Sequence, residues 1–61
     1  MTAREILKKL KDDGWFIVDQ RGSHVQLKHP EKEGKVTVPN HGSKDIPIGT
    51  AKQILKQAGI L

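Results

Sequence analysis

The residues best suited to chemistry are Gly22-Ser23-His24, which stand between an apolar run and a segment that alternates polar and apolar side chains. That position puts an imidazole at the mouth of a β-hairpin. An exposed imidazole exchanges a proton near neutral pH, while glycine and serine let a backbone amide and a hydroxyl approach an anion. A glycine-serine pair before a strand is, taken alone, only a turn. The next residues add weight. In His24-Val25-Gln26-Leu27-Lys28 the period of two turns Val25 and Leu27 toward a core and sends His24, Gln26 and Lys28 to the wetter face. An imidazole, an amide and an ammonium in one row make a phosphate-binding surface, with Ser23, the Gly22 amide and Lys28 as candidate contacts.

The other two histidines carry less. His41 follows Pro39-Asn40 in a polar stretch, where it either fixes a loop or brings a second imidazole to the same sheet face. His29 precedes Pro30 at a strand end and reads as a structural residue of the core side or rim. Asp12, Asp13, Asp19, Glu31, Glu33 and Asp45 read as helix termini and turns rather than a carboxylate cluster, and cysteine is absent. No metal site and no cofactor are therefore expected. One tryptophan and one phenylalanine, Trp15 and Phe16, are too few for a base-stacking platform, so core packing is their expected work.

A chain of 61 residues makes one small domain, here spanning 1–61. A domain of this size hides only about 60% of its unfolded surface, so its core is thin and a partner can supply part of its stability. The net charge of +4 and a pI near 9.7 favour a polyanion or an acidic protein as partner. Any single lysine reads first as a solvating residue. Apolar residues near the amino terminus are interrupted by Arg4, Glu5, Lys8 and Lys9, and no run is long enough for a bilayer. A cytoplasmic location with no membrane association is expected.

The elements that must position these residues follow from capping and periodicity. Thr2 and Glu5 match a capping box, and Ala3, Ile6, Leu7 and Leu10 share one side of a helical wheel, which predicts a helix over about Ala3 to Asp12. Gly14 stops it. Trp15-Phe16-Ile17-Val18 reads as a strand buried on at least part of both faces, and Asp19 to Ser23 as the polar reversal that follows. His24 to Lys28 is the second strand. After a charged turn over His29 to Gly34, Lys35-Val36-Thr37-Val38 is the third, ended by Pro39. Residues 40–44 are loop-like, Ile46 and Ile48 fasten the connection to the core, and a second helix begins between Pro47 and Thr50. Ala51, Ile54, Leu55 and Ala58 form its apolar face, Lys52, Gln53, Lys56 and Gln57 its polar face, and Gly59-Ile60 its cap. The expected fold is α+β: an α-β-β-β-α chain in which two helices cover one face of a three-stranded antiparallel sheet and leave the other face free.

Four separated features then carry a resemblance over nearly the whole chain. They are the first helix with Gly14-Trp15-Phe16, then Gly22-Ser23-His24, then Val38-Pro39-Asn40-His41-Gly42, and finally Ile48-Gly49-Thr50 with Ile54-Leu55-Lys56-Gln57-Ala58-Gly59-Ile60. In that order they resemble the HicA toxin family, small ribonucleases of toxin-antitoxin pairs. The resemblance implies a fold like a double-stranded RNA-binding domain, cleavage of messenger RNA, inhibition by a HicB-type antitoxin, and His24 as the catalytic residue. Ala51 departs from the larger apolar residue common in similar sequences, which bears on helix packing more than on activity.

RNA carries its own nucleophile, the 2′-hydroxyl, so an enzyme need only help it lose a proton, neutralise the phosphate and assist the leaving oxygen. The expected activity is a metal-independent endoribonuclease with His24 as general base or general acid, acting as the toxin of a type II pair. A non-catalytic RNA-binding domain of the same fold is the alternative, and a protein that docks an acidic partner without touching nucleic acid is a third.

Overall fold

In the computed structural model, which describes residues 1–42 and 44–61, helix α1 (Ala3–Asp12) begins at the predicted capping box. The Thr2 hydroxyl accepts from the Glu5 N–H at 3.2 Å, and the Glu5 carboxylate accepts from the Thr2 N–H at 3.0 Å. Those bonds satisfy two amides that a helix start leaves without partners. They also hold the Glu5 carboxyl below its ordinary pKa, the backbone N–H of Thr2 first and its hydroxyl second.

Both helices end the same way. Gly14, at φ 105°, lets its own N–H reach Lys11 O and the Trp15 N–H reach Leu10 O, each at 3.0 Å. At the end of α2 (Ile48–Gln57), Gly59 at φ 74° does the same, its N–H to Lys56 O and the Ile60 N–H to Leu55 O. This double bond pattern recaptures carbonyls that would otherwise be stranded, and it requires a left-handed residue that glycine adopts without strain.

Between the helices run β1 (Phe16–Arg21), β2 (His24–Lys28) and β3 (Val36–Pro39), an antiparallel meander in the order β1-β2-β3. The chain is thus α-β-β-β-α, as predicted. Val25 and Leu27 of β2 and Val36 and Val38 of β3 are buried with Ile6 and Leu10 of α1 and Ile54 and Leu55 of α2. Both helices lie against β3 and against each other, so the core sits under one end of the sheet. No helix among the described residues is long and apolar enough to cross a membrane.

Three expectations change. β1 is not buried on either face: Phe16, Ile17 and Val18 are each between 43% and 48% exposed. The reason is lateral, because the helices gather over β3 and β1 hangs from the far edge, paired only to β2. Phe16 consequently does no core packing, whereas Trp15, one residue earlier, is buried. β1 also runs on to Arg21, so the polar stretch expected to reverse the chain is mostly strand, and Asp19 belongs to that strand rather than to a turn. Lastly, Ile46 is buried but Ile48 is exposed at the start of α2. The predicted loop over 40–44 includes Ser43, which lies outside the described residues.

Candidate active site

The reversal between β1 and β2 is only Gly22-Ser23. Gly22 sits at φ 57°, no non-glycine residue has positive φ among the described residues, and nothing lies within 4 Å of where a Gly22 Cβ would stand. The glycine is therefore present for its backbone angle, which matches the first central position of a type II′ turn. So tight a turn sets the register: Arg21 faces His24, Asp19 faces Gln26 and Phe16 faces Lys28, with Val18 absorbed in a bulge. On the other side of β2, Pro39 faces His24 and Thr37 faces Gln26.

Residues that face one another across a ladder share a sheet face. The face away from the helices thus carries Arg21, His24 and Pro39 in one row, Asp19, Gln26 and Thr37 in the next, and Phe16 with Lys28 beyond. His24, Arg21 and Lys28 are exposed there. The His24 ring makes no side-chain hydrogen bond among the described residues, so both nitrogens are open to a ligand.

Around this row the turn is held from two directions. Ser23 O accepts from the Asn40 N–H at 2.6 Å, which fastens the segment after β3 to the turn. The Asp19 carboxylate accepts from the Gln20 N–H at 2.8 Å and from Arg21 Nε at 3.1 Å. Arg21 is the residue that sequence reasoning missed. The signal was present: a two-residue turn of Gly22-Ser23 must place the residue before it directly across from the residue after it.

Gly22, Ser23 and His24 are brought together at the hairpin tip, whereas Lys28 and His41 are not part of that cluster. Lys28 stands on the same face as His24, but four strand residues set the two about 13 Å apart. His41 lines a separate hollow of about 250 Å³ with Pro39, Lys44, Asp45 and Thr50. A larger open cleft of about 780 Å³ runs between α1 and the segment after β3, where Arg4, Lys8 and Lys11 meet Asn40 and Gly42. Neither hollow is lined by His24. Among the described residues, no three His, Asp or Glu side chains come close enough to hold a metal ion.

His29 has the opposite environment. Its side chain is only 8% exposed and its ring meets Trp15 edge to face, with centroids 5.3 Å apart. Nδ1 accepts from the Glu31 and Lys32 N–H groups at 3.0 and 3.1 Å. The ring hydrogen must then sit on Nε2, which donates to Asp13 O at 2.7 Å. Beside it Lys32 Nζ donates to Asp13 Oδ2 at 2.6 Å and to Ala58 O at 2.9 Å. The Lys32 hydrogen bond holds the Asp13 carboxyl below its ordinary pKa. Gly14 completes the clamp, since a Cβ there would come within 2.8 Å of His29 Nε2.

Among known protein families, residues 3–60 match the family described as the HicA toxin of bacterial toxin-antitoxin systems. No curated protein sequence matches the chain.

Proposed function

The chain belongs to the HicA toxin family, and from that premise we propose that it is an endoribonuclease that cuts messenger RNA with His24 as its proton-transfer group. The observation that carries this reading is the setting of His24: an exposed imidazole whose ring nitrogens meet no side-chain partner among the described residues, beside a guanidinium, on the sheet face that no helix covers. As general base, the imidazole takes the proton of the 2′-hydroxyl and the 2′-oxygen bonds to phosphorus. The bond from phosphorus to the 5′-oxygen breaks, its electron pair stays on that oxygen, and a proton from water completes the leaving hydroxyl. Gly22 and Ser23 lie within reach of the same phosphate, while Lys28 serves a neighbouring one. His41, in its own hollow, is a loop residue or a distant RNA contact.

The cognate inhibitor is a HicB-type antitoxin, and the excess of positive charge suits both an RNA and an acidic protein surface. A binding-only reading draws on the α1 cleft, where three cations line one wall. One experiment separates the two: wild type and His24→Ala, each verified as folded, are incubated with defined single-stranded and duplex RNA in chelator, and product ends are analysed. Loss of cutting in the variant with RNA binding retained, and cyclic phosphate ends from wild type, support the proposal. RNA bound but uncut by wild type gives the binding-only reading, and cutting restored only by magnesium removes metal independence.

A further inference from the structure

We infer that Arg21 is a phosphate-binding group of this site, its guanidinium gripping the non-bridging oxygens of the phosphodiester attacked by the 2′-hydroxyl that His24 deprotonates. The inference rests on the ribonuclease reading and adds to it a second functional residue and the atoms it recognises.

Four observations carry it. Arg21 lies directly across the ladder from His24, which places the two Cβ atoms about 5 Å apart on one face. A guanidinium there reaches the phosphate whose neighbouring 2′-hydroxyl the imidazole serves. Only Nε is engaged, by Asp19 at 3.1 Å, so the two terminal nitrogens of the fork point onward with no protein partner among the described residues. That fork matches two oxygens of a phosphate.

The third observation is that stability does not account for the arrangement. The Arg21 side chain is 81% exposed, and an ion pair this wet contributes little to folding. What the pair does supply is direction, since Asp19 also accepts from the Gln20 N–H and is itself held still. Asp19 is a positioning residue, acting on the reaction only through Arg21. Fourth, the open face sets Arg21, His24 and Lys28 around a single carboxylate, Asp19, which Arg21 already occupies. A negatively charged ligand is the group that completes such a surface.

As the 2′-oxygen bonds to phosphorus, the non-bridging oxygens gain negative charge, so a fixed cation beside them binds the transition state more tightly than the ground state. Single-turnover cleavage of one defined RNA by wild type, R21Q, R21K and D19N tests this, with melting curves to verify folding. R21Q is expected to lose on the order of 100-fold in rate. R21K, which keeps charge but not the fork, should lose less. D19N should lose several-fold in rate while binding RNA more tightly, because a carboxylate near a polyanion is gone; a merely structural role would not divide the two. Sulfur in place of one non-bridging oxygen should slow wild type more in one stereoisomer than in the other, and R21Q should lose that discrimination. An R21Q enzyme that cuts within threefold of wild type, with the same response to sulfur, overturns the inference and leaves the ribonuclease reading standing. If wild type cuts no RNA, that reading fails and the role of Arg21 fails with it.

Discussion

At one end of β2 His24 stands in solvent with no side-chain partner among the described residues, and just past the other end, after roughly 17 Å of extended chain, His29 uses both ring nitrogens. The difference comes from what surrounds each end. Near His29 the two helix C-termini converge, and a helix end leaves carbonyls that need donors. His29 serves Asp13 O and Lys32 serves Ala58 O, so one short charged segment ties both helices to the sheet. Near His24 a tight turn and the Asn40 amide satisfy the backbone, and the side chains are left over. Residue type does not predict role; the local supply of unsatisfied backbone groups does.

The largest effect that tests this contrast is catalytic. His24→Ala should lower RNA cleavage by about 100- to 10,000-fold while leaving the melting temperature near wild type, read by gel cleavage and calorimetry side by side. Equal losses of stability and activity would erase the distinction between the two ends. His29→Ala should do the reverse, costing about 2 kcal/mol through two stranded amides and the lost contact to Trp15. In a domain of this size that is a fall of roughly 10 °C in the melting transition, with residual cleavage per folded molecule unchanged.

Acid sharpens the comparison further. The Asp13 carboxyl is held below its ordinary pKa chiefly by Lys32, so its contribution is complete above the ordinary aspartate range and is lost as pH falls through the lowered value. Melting temperature followed against pH should therefore drop more steeply on the acid side in wild type than in Asp13→Asn. A parallel pair of curves would remove Asp13 from the clamp. The smallest effect belongs to Lys28. Lys28→Gln should reduce the slope of log affinity for RNA against log salt by about 1, measured by titration at several salt concentrations, with little change in single-turnover rate.

Much of the fold was legible because its signals are local. The Thr2/Glu5 box set the start of α1, alternation set His24–Lys28, and Gly59-Ile60 set the end of α2. Burial of β1 was misread because Trp-Phe-Ile-Val looks the same whether or not a helix happens to lie above it. For the site, His24 and its turn could be read directly, while Arg21 required the register. His29 was legible as structural from its place beside Pro30, but its partners Asp13, Glu31 and Lys32 were not.

The order of residues alone determined which segments coil, which extend, where each stops, and which side chains on β2 point away from the core, because these depend on neighbours a few positions apart. Tertiary structure decided which edge of the sheet goes uncovered, which histidine is spent on holding helix ends, and which cation stands across from the other. Those outcomes depend on distances between residues far apart in the chain, which are set only when the helices come to rest over β3.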